Sequence, residues 1–143
     1  MNRLGGCGLW VALLVASHAF AQNYPVKPIR LVLPYPPGGG SDVFARPLAQ
    51  KLTEYLGQQV IVDNRGGAGG NIGMEFVAKS PPDGYTLLFA LTAQFAVNPS
   101  LYPKLPYDPV KDYAPISLLA NAPYLLVVHP SLPAKSVSEL IAL

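Results

Sequence analysis

The sequence predicts an α/β fold, a parallel-type sheet flanked by helices. Three observations point there. Short apolar, partly β-branched runs stand at 29–33, 60–62 and 85–91. A run with helical spacing follows each of the first two. Each passage from strand to helix is a glycine-rich loop, "PYPPGGGSDVFAR" at 34–46 and "DNRGGAGGNIG" at 63–73. Strand, helix, strand, helix, strand closes naturally into a parallel sheet with a helix on each face.

Ile29 to Leu33 (IRLVL) reads as a buried strand stopped by Pro34. Beyond the first loop, Phe44, Leu48, Leu52 and Leu56 recur every four residues, one face of a helix ended by Gly57. A start at Ser41 or Asp42 puts Pro47 past the positions that tolerate proline, so a kink or a later start is expected. Val60 to Val62 is the second strand. A helix over Ile72 to about Lys79 follows the second loop, with Asn71 as its cap. "PPDGY" at 81–85 is a turn signal, and Tyr85 to Leu91 (YTLLFAL) is apolar enough for a central strand. The stretch 96–115 carries five prolines and reads as a crossing segment without a third helix. Ile116 to Ala120 and Tyr124 to Val128 then read as two further strands. "SVSEL" at 136–140 is a capping box, Ser136 with Glu139, that opens a helix. That helix is only about two turns long where the sequence stops at Leu143, which points to a fragment of a longer chain.

The start of the chain reads differently. Asn2 and Arg3 precede an apolar stretch from Leu4 to Ala16, and "SHAFA" follows with small residues at Ala19 and Ala21. This pattern is a secretory signal peptide, residues 1–21, cleaved after Ala21. "LGGC" at 4–7 looks like a lipoprotein box, but the apolar core follows Cys7 instead of preceding it, so lipidation is rejected. Cleavage removes the one cysteine, so neither disulfides nor thiol chemistry are expected. It also leaves nine Lys and Arg against eight Asp and Glu, a near-neutral balance that gives no electrostatic case for nucleic acid.

Gly38, Gly39 and Gly40 lose conformational entropy on ordering, a cost that calls for a return. Both glycine loops sit at the carboxyl end of a strand, where ligands bind in open parallel sheets. Both lead into a helix start, whose free N–H groups and partial positive charge suit an anion. Tight turns also need glycine, so one loop alone decides little; two on one edge favour an anion site. The first loop lacks the Lys and Ser/Thr of a Walker loop. Gly67, Gly69 and Gly73 resemble a dinucleotide loop only weakly, because the next strand ends "ALTAQ" with no acid to hold a ribose. Catalysis has little to stand on. His129 is the only histidine past the signal, no G-x-S-x-G occurs and no metal-ligand spacing is visible. Asp42 is a helix-start carboxylate, a residue that orders the loop, or an acceptor for a ligand N–H group. Arg65 is a surface residue or a carboxylate partner. Tyr35 and Phe95 read first as core aromatics and second as pocket walls.

Five stretches, "YPVKPIRLVLPYPPGGGSDVFARPLAQKL", "GQQVIVDNRGGAGGNIG", "PPDGYTLL", "NPSLYPKLPYDPVKDYAPISLLA" and "SVSELIAL", together resemble the Bug-type substrate-binding proteins of tripartite tricarboxylate transporters, over Tyr24 to Leu143. Two departures are visible: Gly66 stands where the family often has proline, and Pro47 where an aliphatic residue is common. The resemblance implies a periplasmic-binding-protein-like receptor of two α/β lobes, closing over a small organic acid and docking on a membrane permease. It implies a monomer that needs no cofactor. The matching ligand positions are Tyr35, Gly39, Gly40, Ser41 and Asp42 in the first loop, Gly70 and Asn71 in the second, and Thr92 and Gln94 after the third strand. Residues 22–100 would then form the first lobe, and 101–143 the crossover and the start of a second, with closure about a hinge near 92–100. The alternatives are an exported hydrolase or transferase that uses the glycine loop as an oxyanion hole, and a truncated receptor without function.

Overall fold

The computed structural model describes residues 24–123 and 125–143. The signal peptide expected at residues 1–21 therefore lies outside the described residues, as does Tyr124. The chain divides into two compact units, one ending at Tyr113 and the other Ala114–Leu143.

In the first unit β1 (Ile29–Leu33) is the middle strand of three, with β2 (Val60–Asn64) on one side and β3 (Thr86–Leu88) on the other, all parallel. Ile29 stands opposite Val60 and Leu33 opposite Asn64, while Leu31 faces Leu87 across the other edge. α1 (Gly40–Leu56) follows β1, and α2 (Asn71–Ala78) follows β2. Side chains alternate along β1. Ile29, Leu31 and Leu33 pack with Ala45 and Ala49 of α1, with Val60 and with Phe89. Arg30 points to the opposite face, where its guanidinium lies 5.5 Å from the Phe76 ring of α2. The expected α/β architecture is present, a helix on each face of a parallel sheet.

The apolar stripe of α1 differs from expectation. Phe44 is 58% exposed, while Ala45 and Ala49 are buried against the sheet beside Leu48, Leu52 and Leu56. Small residues let the helix approach the strands closely, and their weak hydropathy hid them in the sequence. The helix starts at Gly40, one residue earlier than expected, and continues through Pro47. The missing Pro47 N–H leaves only the carbonyl of exposed Val43 unpaired, where water can reach it, and packing of the buried face outweighs the loss. Gly57 ends the helix in a left-handed conformation, φ 66°, its N–H bonded to Thr53 O at 3.1 Å. Thr53 Oγ1 then accepts the Val60 N–H at 2.9 Å and ties the helix end to β2.

β3 is shorter than the expected run over 85–91, although the Phe89 N–H still bonds Val32 O at 2.9 Å. The segment after it is not the plain crossing that was expected. Ala93–Val97 form a π-helical turn, and Asn98–Leu101 form the short α3. Pro99 is tolerated there because it falls in the first turn.

In the second unit neither Ile116–Ala120 nor the described part of 124–128 is a strand. A strand exists only through the ladder to its neighbour. Neither segment has a ladder among the described residues, and their described residues are exposed, Leu118 at 85%. α4 (Val137–Ala142) does form, with Ser136 Oγ accepting the Glu139 N–H at 3.2 Å. Glu139 reaches back to the Lys135 N–H at 2.7 Å, one residue beyond the Ser136 N–H that the reciprocal bond of a full capping box would use.

Candidate anion site at the carboxyl edge of the sheet

The first loop is closed by Asp42. Its Oδ2 accepts the Gly38 N–H at 2.5 Å and Arg46 Nη2 at 3.0 Å, and its Oδ1 accepts Asn64 Nδ2 at 3.0 Å. Asn64, the last residue of β2, also donates to Tyr35 O at 3.1 Å, so one amide pins both ends of the loop. The carboxylate is 5% exposed and its oxygens are occupied. The Gly38 N–H, then the Asn64 amide and the Arg46 guanidinium, hold its carboxyl down at about 2, against 3.8 for a free aspartate. Asp42 therefore orders the loop, one of its three expected roles, and its occupied oxygens leave the role of acceptor for a ligand N–H unsupported. A depressed acid contributes stability that is complete above its unfolded value and lost as pH falls through the folded one. The stability gap between wild type and Asp42→Asn is expected to be widest at neutral pH and to close between about pH 4 and about pH 2. Chemical denaturation across that range reads it; a gap that stays constant contradicts the assignment.

The glycines of this loop divide by cause. Gly38 has φ 82°, a conformation that disfavours any side chain. Gly39 is extended at φ −80°, and a Cβ there would meet only Pro36 O, at an ordinary 3.6 Å. A Cβ on Gly40 would meet nothing within 4 Å. Neither the fold nor the backbone requires glycine at these two positions. They edge the first turn of α1, where the Gly40 and Ser41 N–H groups have no intrahelical carbonyl to bond. Ser41 is half-buried, and its hydroxyl has no hydrogen bond among the described residues.

The second loop is pressed against the first. A Cβ on Gly66 would lie 2.8 Å from the Pro36 ring, and one on Gly73 would lie 2.8 Å from Arg65 O and 2.9 Å from Pro34 Cα. Gly70, at φ 94°, caps α2. Asn71 was the expected cap, but its side chain turns inward, because Asn98 Nδ2 donates to Asn71 Oδ1 at 2.7 Å and the Tyr107 hydroxyl approaches the same oxygen at 3.1 Å. Gln94 from the π-helical turn is wholly buried and bonds Tyr35 Oη at 2.7 Å and Gly69 O at 3.1 Å. Burial raises the Tyr107 hydroxyl above its ordinary pKa, consistent with a neutral donor inside this network.

The structure thus joins Tyr35, Asn71 and Gln94 in one network through the Gly69 carbonyl, with Gly70 packed against the Gln94 amide, and places Gly39, Gly40, Ser41 and Asp42 in the adjoining loop. Thr92 is exposed at the head of the π-helical turn, without a side-chain hydrogen bond among the described residues. Sequence reasoning missed Asn64, Asn98 and Tyr107. Asn64 closes a strand and Asn98 precedes a proline, both ordinary places for asparagine, so nothing local marks them. Arg65 is committed elsewhere, paired with Asp63 at 2.9 Å and stacked 3.5 Å from the Phe76 ring centroid. A groove of about 780 Å³ on the α2 face is lined by Lys27, Arg30, Asp63, Phe76, Lys79 and Asp83. Lys27 pairs there with Asp83 and Arg30 with Asp63. Because those charges are matched and the free helix-start N–H groups lie elsewhere, the glycine loops are the better anion candidate. No group of three or more metal-ligating side chains exists among the described residues, and no helix among them is long and apolar enough to cross a membrane.

A family model described as tripartite tricarboxylate transporter family receptor matches residues 44–143. Protein BugT of Bordetella pertussis is 45% identical over 137 residues, 94% of this chain and 42% of that protein. A protein from the ttuE–ttuC′ intergenic region of Agrobacterium vitis is 42% identical over 94% of this chain and 39% of its own length. The chain thus spans about two fifths of these relatives. Among solved structures, Rpa4515 of R. palustris with adipate superposes with a TM-score of 0.73 at 41% identity, covering 83% of this chain and 40% of that one. MatC of Rhodopseudomonas palustris with bound malate gives 0.64 at 36% identity, over 67% and 33% of the two chains. The periplasmic binding protein BugD gives 0.59 at 44%, over 62% and 29%.

Proposed function

Because this chain belongs to the tripartite tricarboxylate transporter receptor family, we propose that it is the glycine-loop part of a periplasmic receptor that captures a small organic acid and delivers it to a membrane permease. One carboxylate would rest on the Gly40 and Ser41 N–H groups at the start of α1, with the Ser41 hydroxyl beside them and Asn71 of the second loop across from them. Residues 22–100 would belong to one lobe and 101–143 to the crossover and the start of a second, closing over the ligand about the 92–100 segment. The receptor would act as a monomer without a cofactor, exported by the signal peptide, and it makes and breaks no bond.

The observation that carries this reading is the pair Gly39 and Gly40. Neither needs to be glycine for conformation or for packing. Bare backbone at that edge is accounted for by close approach of a ligand. The adipate and malate of two structural neighbours support a carboxylate as the ligand class. The hydrolase reading gains nothing comparable. His129 Nδ1 lies 2.7 Å from Ser131 Oγ, but Ser131 is two residues away in an exposed turn and its N–H also bonds the same nitrogen.

The test is a thermal-shift screen of the complete mature protein against mono-, di- and tricarboxylates, aromatic acids and nucleotides. A ligand that binds only the folded state raises the melting temperature. Stabilisation by one carboxylate and by no nucleotide is the expected result. A flat response to every carboxylate would overturn the receptor reading.

A further inference from the structure

The Gly69 carbonyl dictates which way two side-chain amides face. It accepts from Gln94 Nε2 and from Asn98 Nδ2, each at 3.1 Å. A carbonyl cannot donate, so both amides must turn their nitrogens toward it. The Leu91 N–H, which can only donate, agrees by bonding Gln94 Oε1 at 3.0 Å. Each amide nitrogen has one hydrogen left. That of Gln94 goes to Tyr35 Oη at 2.7 Å, and that of Asn98 to Asn71 Oδ1 at 2.7 Å.

The consequences run outward from there. Tyr35 Oη is occupied as an acceptor, so its own proton is directed elsewhere, and it meets no acceptor among the described residues. The oxygen end of Asn71 is held by Asn98 Nδ2, with the Tyr107 hydroxyl beside it sharing its one proton between this oxygen at 3.1 Å and Gln94 O at 3.0 Å, which leaves the Asn71 NH2 facing away without a partner among the described residues. Asn71 is only 6% exposed. No fully buried side-chain nitrogen or oxygen among the described residues lacks a partner, so this NH2 is reachable from outside. Two free donors, one phenolic and one amide, thus flank the second glycine loop.

We propose that Gln94 and Asn98 are positioning residues that hold Tyr35 Oη–H and Asn71 Nδ2–H as donors to the bound anion, so that the site selects groups that only accept hydrogen bonds. This rests on the carboxylate-receptor reading. Gln94 itself is sealed, with oxygen and nitrogen both committed, and acts through Tyr35 without touching the ligand. A carboxylate offers acceptors alone, whereas a carboxamide would set its own NH2 against these donors.

The test is a double-mutant cycle on the complete protein with Tyr35→Phe and Gln94→Met. Affinity is read by calorimetry for adipate and its diamide, with malate and its diamide used instead if malate binds more tightly. Tyr35→Phe is expected to weaken the acid about tenfold or more, the effect of one hydrogen bond to a charged group. Gln94→Met should weaken it similarly, and the double variant should be no more than about twofold worse than the weaker single variant. In Gln94→Met the tyrosine hydroxyl regains the ability to accept, so the preference for acid over diamide should fall by roughly fivefold or more. A mere packing defect would instead weaken both probes alike and multiply with Tyr35→Phe; that result overturns the positioning role and leaves the receptor standing. If wild-type protein binds neither acid, the carboxylate found by the thermal-shift screen and its amide take their place; if no carboxylate binds, both readings fall together. Circular dichroism reports whether Gln94→Met folds; if it does not, Asn71→Ala with Asn98→Ala forms a cycle that answers to the same expectations.

Discussion

Gly73→Ala is expected to destabilise the protein by about 3 kcal/mol, the upper end for an overpacked site. The added methyl would meet Arg65 O at 2.8 Å, Pro34 Cα at 2.9 Å and Pro34 Cβ at 2.9 Å. These atoms belong to the chain just past β1 and β2. The two strands are tied together there by the Arg65 N–H to Leu33 O bond at 2.8 Å, so neither can retreat alone. Pro34 is itself fully buried, and α2 would have to shift instead. Such a loss lowers the melting temperature by roughly 10 °C or more. Chemical denaturation of the single variant checks it. A change within about 0.5 kcal/mol, the range of an ordinary surface substitution, would mean that the two loops part easily and that Gly73 has another purpose.

Gly40→Val should do the opposite, leaving the fold intact and removing the ligand. Nothing lies within 4 Å of the position its Cβ would take, and its backbone is not in the left-handed region. The first turn of a helix accommodates a β-branched residue at a cost of about 0.5 kcal/mol or less. Bulk at that point would stand between the helix-start N–H groups and any anion. Carboxylate affinity should fall about a hundredfold, or about 2.7 kcal/mol, with a melting temperature within a few degrees of wild type. Calorimetry and thermal melts on the same sample separate the two effects. Unchanged affinity would place the carboxylate elsewhere and leave the openness around Gly39 and Gly40 unexplained. The pair of variants also separates two reasons for glycine that one sequence motif conceals, one facing inward and the other outward.

Some of this was legible without a structure. The three strands of the first unit, the two helices between them and the helix at Ser136 carry local signals of periodicity, punctuation and capping, and all six elements form. Several readings fail, among them Phe44 in the core, Asn71 as a helix cap, a kink or later start at Pro47, 96–115 as a segment without helix, and 116–128 as strands. Each misjudgement has the same source, which is that the deciding partner lies far away in the chain. Asn71 caps nothing because Asn98 and Tyr107 claim its oxygen from 27 and 36 residues away. The apolar runs past Tyr113 have strand composition and no ladder among the described residues.

The sequence by itself determined the α/β class, the location of both glycine loops at strand ends and the family, because these rest on local pattern and on the order of motifs. Only the tertiary structure decided what each glycine and each polar side chain is for. It showed that Gly73 is filled space and Gly40 is open space, and that Asp42 closes its own loop. It also showed that the Gly69 carbonyl sets the direction of two amides drawn from a distant turn. The physical reason is that hydrogen-bond direction and steric clearance are properties of pairs of atoms. A sequence states one member of each pair, and the fold supplies the other.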